Sequence, residues 1–170
     1  MTSGLALADL HLVKTGDRLN INYIGIDNAQ AMLNKAQSFL SYNILSDVSK
    51  SAFALNWDSI PQGTLKQFVG LDNHIVINAS YLFASASLEE LNLAVFVKDI
   101  VRKYSTSKIY FIYQNPHRND RNVKYLAFKS ELVYMAHEKN VERVYYKNSP
   151  ASSSEPSAED VYYEILELMP

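Results

Sequence analysis

Ile21-Asn22-Tyr23-Ile24-Gly25-Ile26-Asp27 carries the strongest structural signal in the chain: a β-branched and aromatic run that ends on an acid and passes straight into a helical pattern over 28–40. Such a run reads as a strand. Asn28 follows as a candidate N-cap, and Ala31, Met32, Ala36, Phe39 and Leu40 recur at helical spacing. In an open α/β sheet the carboxyl end of a strand opens onto the crevice where ligands bind, and a carboxylate there can accept from both hydroxyls of a nucleotide ribose. Asp27 is therefore the leading candidate for a binding residue. The competing reading is an acid that merely ends a strand and favours the helix N-terminus.

Working outward, strands and helices alternate. Residues 4–14 place Leu5, Leu7, Ala8, Leu10, Leu12 and Val13 on a broad apolar face, a helix stopped at Thr15-Gly16-Asp17. A second strand is expected over 51–57, ending at Asp58, and a short helix over 62–68. Ile75-Val76-Ile77 is a short apolar strand ending at Asn78, of the kind buried in a parallel sheet. Ser87-Leu88-Glu89-Glu90 has the spacing of a capping box and opens a helix to about Tyr104, with Leu91, Val95, Phe96, Ile100 and Val101 as its buried stripe. A strand over 108–113 is stopped by Gln114-Asn115-Pro116, and a helix is expected from about Val123 to Lys139. Two last strands, over 141–147 and 161–168, have no helix between them and should pair antiparallel. The serine- and proline-rich segment 148–159 between them reads as a flexible loop. The expected architecture is thus one Rossmann-like α/β domain over 1–170, a mostly parallel sheet that ends in an antiparallel hairpin.

Bulk properties narrow the function. A chain of 170 residues that is 48% hydrophobic can bury one core. A formal net charge of -2, from 16 basic and 18 acidic residues, gives no electrostatic footprint for nucleic acid or an anionic membrane. The absence of cysteine removes disulfides and thiolate chemistry and fits a cytoplasmic protein. No basic-apolar leader and no apolar run of about 20 residues is present. Twelve tyrosines fall mostly in strand-like runs, where aromatic rings pack on a pleated surface.

The run Tyr23-Ile24-Gly25-Ile26-Asp27-Asn28-Ala29-Gln30-Ala31-Met32-Leu33 resembles the second-strand motif of class I S-adenosylmethionine-dependent methyltransferases, in which a strand ends on an acid and a Met-Leu helix follows. The alternation after it, final strand pair included, is similar to the order of elements in that family. The resemblance implies that Asp27 holds the ribose of S-adenosylmethionine, with the adjacent Asn28 as a further cofactor contact. It places Asp58 near the adenine amino group, with Trp57 packed on the ring, and Asn78 at the methionine end. That family begins with a strand and an acidic, glycine-rich turn. Here only Thr2-Ser3-Gly4 corresponds to it, with Gly4 as the tail of the turn. The central first strand is thus expected to be missing. The chain would then be a truncated enzyme, a domain completed by a strand from a partner chain, or a fold that closes the gap by itself.

Asn78-Ala79-Ser80-Tyr81 falls where amino-group methyltransferases carry Asn-Pro-Pro-Tyr, so the resemblance puts Tyr81 against the methyl acceptor; a strand-to-helix loop is the plainer alternative. Asn115 and His117, at the end of the following strand, are further candidate substrate contacts, against the alternative of a solvated turn. The four histidines lack metal-ligand spacing, and no metal site is expected. No Gly-x-Ser-x-Gly elbow and no phosphate loop occurs, which argues against an α/β-hydrolase and a P-loop enzyme. The two functions carried forward are a methyltransferase-like domain of unknown acceptor and a non-catalytic binding or scaffold module of the same fold.

Overall fold

The computed structural model describes residues 74–146 and 157–170 and, in the first half, Thr15, 25–27, 29–32, Asn34 and Ser38. The chain divides into two compact units, Met1–Gly70 and Leu71–Pro170. The elements expected over 4–14, 51–57 and 62–68 lie outside the described residues.

In the first unit Gly25 is buried, Ile26 makes a β-bridge, and Gln30, Ala31, Met32, Asn34 and Ser38 are helical. Asp27 Oδ1 accepts from the Ala29 N–H at 2.8 Å, and the Met32 N–H closes on the Ala29 carbonyl at 2.9 Å. A helix leaves its first N–H groups without intrahelical acceptors, and an acid just before it supplies one. The expected passage from extended chain to helix at Asp27 is therefore present.

The second unit holds β1 (Ile75–Ser80), a 3-10 turn (Leu82–Ala84), α1 (Glu90–Lys103), β2 (Ile109–Pro116), α2 (Asn119–Ser130), β3 (Tyr134–Tyr146) and β4 (Ser157–Leu168). The sheet order is β1-β2-β4-β3. β1 and β2 are parallel, as a crossover through a helix allows, while β4 runs antiparallel to both of its neighbours. Three strands therefore point one way and β4 alone is reversed. This is a Rossmann-like α/β sheet finished by an antiparallel hairpin, as expected.

Period-2 alternation decides which face is buried. In β2, Ile109, Phe111, Tyr113 and Asn115 are buried while Tyr110, Ile112, Gln114 and Pro116 are half-buried. In β4, Tyr162, Glu164, Leu166 and Leu168 share the matching face. Phe83 of the 3-10 turn sits over that face, with ring centroids 5.1 to 6.3 Å from Phe128, Tyr125, Tyr113 and Phe111. Burying each such ring contributes on the order of 1.5–3 kcal/mol, so this aromatic cluster is the main apolar core of the unit.

Several local expectations are corrected. β1 runs to Ser80 rather than ending at Asn78, because Ala79 and Ser80 find partners in Tyr113 and Gln114. The capping box does not form: Glu89 is the N-cap without a side-chain bond, and Ser87 Oγ pairs instead with Ser85 Oγ at 3.0 Å. The buried stripe of α1 is Leu93, Ala94, Val97, Ile100 and Val101, whereas Leu91 and Val95 face out. β2 is not stopped at Gln114-Asn115-Pro116. Proline as the last strand residue forfeits a single donor, and the His117 N–H resumes the pairing on the Asp160 carbonyl at 2.7 Å. α2 covers 119–130, not 123–139, and β3 begins at Tyr134, not Val141. Ser157, within the expected loop, already pairs with Tyr146.

Candidate functional site

In the second unit, the carboxyl ends of the parallel strands β1 and β2 bring two of the sequence motifs side by side. Ser80 stands opposite Gln114 in the ladder, and the Tyr81 N–H donates to the Gln114 carbonyl at 2.7 Å. Asn78-Ala79-Ser80-Tyr81 and Gln114-Asn115-Pro116-His117 thus form one edge, where open α/β sheets bind ligands.

Side-chain placement on this edge is uneven. Asn78 is exposed, and its Oδ1 accepts from the Ser80 N–H at 3.1 Å and from Ser80 Oγ at 2.6 Å. Tyr81 is held at φ 61°, ψ 1°, the left-handed region that costs a non-glycine residue about 1 kcal/mol or more, and its side chain is exposed. His117 is exposed, with its ring 6.0 Å from that of Tyr162. Asn115 is wholly buried on the opposite face of the sheet from Asn78. Asp27 belongs to the first unit, half-buried, at the turn described above. Gly4, Asn28, Trp57 and Asp58 lie outside the described residues.

The loop after β1 is pinned from α2. Lys124 Nζ donates to the carbonyls of Ser85, Ala86 and Leu88 at 3.2, 2.9 and 2.7 Å. One ammonium has three donors, and all three are used here on the segment that follows Tyr81 and the 3-10 turn.

Behind the edge lies a buried polar network that sequence reasoning missed. Glu164 accepts from Tyr125 Oη at 2.7 Å, Tyr162 Oη at 2.9 Å and Lys129 Nζ at 2.5 Å. Tyr113 Oη donates to Asn122 Oδ1, and the rings of Tyr113 and Tyr125 stack at 3.5 Å. Burial pushes the Glu164 carboxyl up, but the bonds from Lys129, Tyr125 and Tyr162 and the charge of Lys129 outweigh it and hold it below its usual range. Burial pushes the Tyr113 hydroxyl up to about 12, against the bond from Asn115 and with the Glu164 charge. Burial and then Glu164 raise Tyr125 and Tyr162 as well. The signal was in the sequence: alternation in 161–168 puts Glu164 on the face of Tyr162, Leu166 and Leu168, and a buried acid demands a partner. The network is closed on itself and holds β4, β2 and α2 together.

Among the described residues no three of histidine, cysteine, aspartate and glutamate group so as to hold a metal ion. None of the described helices is long and apolar enough to cross a membrane.

The sheet order, with a reversed strand between two co-directional ones, defines a Rossmann-like α/β fold. Comparison with solved structures agrees. A protein from Thermoplasma acidophilum, provisionally described as a methyltransferase, superposes with a TM-score of 0.52 at 11% identity, over 96% of this chain and 64% of its own. The chain thus spans less than two thirds of that protein's length. No family model and no curated protein matches the sequence.

Proposed function

We propose that the chain is a methyltransferase-like domain that binds S-adenosylmethionine and presents its methyl group to an acceptor at the β1–β2 edge. The observation that carries this reading is Asp27: an acid directly after a bridged residue and directly before a helix, in a chain whose fold is similar to that of a protein described as a methyltransferase. Asp27 and Asn28 hold the ribose hydroxyls, Trp57 and Asp58 take the adenine, and Gly4 and Asn78 serve the methionine end. Tyr81 and His117 line the acceptor side, and the amide of Asn115 supports it from within. Methyl transfer from a sulfonium needs in-line orientation more than acid-base chemistry, so placing the acceptor supplies the catalysis. The protein acts in the cytoplasm, and a partner chain can supply a strand to its sheet.

A non-catalytic binding module of the same fold is favoured by one detail. The Asn78 carbonyl oxygen, which an acceptor amine would use, is turned onto Ser80. Filter binding with methyl-labelled S-adenosylmethionine, on the wild-type chain and on Asp27→Ala, tests the first reading. Saturable retention that the substitution abolishes while the far-ultraviolet circular dichroism is unchanged supports it. Retention equal in both proteins overturns the role of Asp27, and retention without turnover on any amine, hydroxyl or protein acceptor favours the module.

A further inference from the structure

β3 differs from the other strands in burying nothing: every described side chain over 133–145 is exposed, Tyr145 at 68%. It is the last strand of the described sheet and pairs with β4 along one edge, from Tyr134 opposite Leu168 to Tyr146 opposite Ser157. Among the described residues its outer edge carries no strand. The β2–β4 ladder ends at Pro116 opposite Val161, with one further bond from the His117 N–H to the Asp160 carbonyl, so 144–146 and 157–159 continue beyond it as a two-stranded ribbon. Edges that must not pair indiscriminately are kept short, bent by bulges or lined with charge, and on β3 charge is the device that selects. The irregularity between Ala136 and Glu138 bends only the start of β3, and 138–146 run on in regular register.

The charges on this run sort by face. Tyr163 Oη donates to Glu138 Oε1 at 2.7 Å and lies 3.5 Å from Glu142 Oε1, so both acids are on one face. Lys139 lies over the Tyr162 ring at 5.8 Å and Arg143 reaches Asp160 Oδ1 at 3.3 Å, so both bases are on the other. In a two-fold antiparallel pair, residues of equal parity stand opposite each other on one face. Every such register centred from Glu138 to Arg143 therefore sets at least one like-charged pair directly opposite: Glu138 against Glu142, Lys139 against Arg143, or a charged residue against its own copy. Paired across the charged run 138–143, a second copy of this chain is the wrong occupant. A strand with bases on the acidic face and acids on the basic face is the right one.

We propose that the outer edge of β3 docks an extended segment of another protein in which acidic and basic side chains alternate in sign from one face to the other. Main-chain bonds to the open edge supply the affinity, and the bases facing Glu138 and Glu142 and acids facing Lys139 and Arg143 supply the selectivity. This surface stands apart from the β1–β2 edge, and its test needs no cofactor. A fluorescein-labelled, end-blocked peptide, Val-Ile-Glu-Lys-Val-Thr-Glu-Lys, sets its acids opposite Arg143 and Lys139 and its bases opposite Glu142 and Glu138 when laid antiparallel. Fluorescence anisotropy with the full chain is expected to show saturable binding, weaker by about tenfold or more when glutamine replaces the four charged residues of the peptide or when the protein carries Lys139→Glu with Arg143→Glu. Amide exchange in the complex should slow within 138–146. Equal affinity for the charged and neutral peptides, no binding of either, or slowing elsewhere overturns the proposal. So does a dimer of the free chain with its β3 amides protected.

Discussion

Lys129 Nζ donates to Glu164 Oε1 at 2.5 Å where the Glu164 side chain is 1% and that of Lys129 17% exposed, so an ion pair joins α2 to β4 almost out of water. Removing one member of such a pair strands the other charge. Lys129→Met should lower the unfolding free energy by about 3–5 kcal/mol in urea titrations of the full chain. Lys129→Met combined with Glu164→Leu should recover most of that loss. Equal losses in the single and the double variant would show that the pair does not act as a buried unit.

The same network sets a pH profile. Glu164 titrates below its ordinary value of 4.5 in the folded protein, so between the two values the unfolded chain binds the proton and the folded chain does not. Its contribution is complete above about pH 4.5 and is lost as the pH falls through the folded value; Glu164→Gln should flatten that acid limb. At the other end Tyr113, raised from 10.0 to about 12, contributes fully below pH 10 and loses its contribution as the pH climbs through 12. Tyr125 and Tyr162 are raised and act in the same sense. Urea midpoints measured from acid to alkaline pH should therefore fall at both ends, and Tyr113→Phe should soften the alkaline fall.

Lys124 should matter more to one loop than to the whole fold. Lys124→Met leaves three carbonyls without their ammonium, at a cost of about 1–3 kcal/mol. Its main signature should be faster amide exchange at Ser85 and Leu88, whose N–H groups now bond to Leu82 and Ser85. Unchanged exchange at those two amides would contradict the pinning role.

Tyr81 sits at φ 61°, where glycine has no steric penalty. Tyr81→Gly should stabilise the unit by about 1 kcal/mol, read as a higher Tm, while Tyr81→Ala should not. A residue kept against its own backbone preference points to a use for the exposed ring, and loss of acceptor binding in the stabilised variant would identify that use.

The parts of the fold that rest on periodicity were legible, and those that rest on distant pairing were not. The strand after Lys108, the helix after Ser87 and the final hairpin follow from apolar spacing and from the lack of any helix between the last two strands. The start of β3 was misread because Met135, Ala136, Glu138 and Lys139 favour helix locally, yet their place is fixed by pairing with Glu167, Leu166, Ile165 and Glu164 across the sheet. α1 begins at Glu90 with Glu89 as its cap, which leaves Ser87 outside the helix and shifts the buried stripe to Leu93, Ala94 and Val97. On the site side, the order of elements placed Asn78, Tyr81 and His117 at the carboxyl ends of β1 and β2, where the structure has them. It could not show that Asn115 points inward, since that follows from the face Asn115 shares with Ile109, Phe111 and Tyr113.

The decisive measurement is a calorimetric titration of the full chain with S-adenosylhomocysteine, which shares the nucleoside of the cofactor and cannot be turned over. A saturable single-site isotherm that disappears in Asp27→Ala is predicted. Absence of any binding heat across a range of temperatures, in a chain whose circular dichroism shows it folded, would contradict the assignment of Asp27 to a nucleoside site.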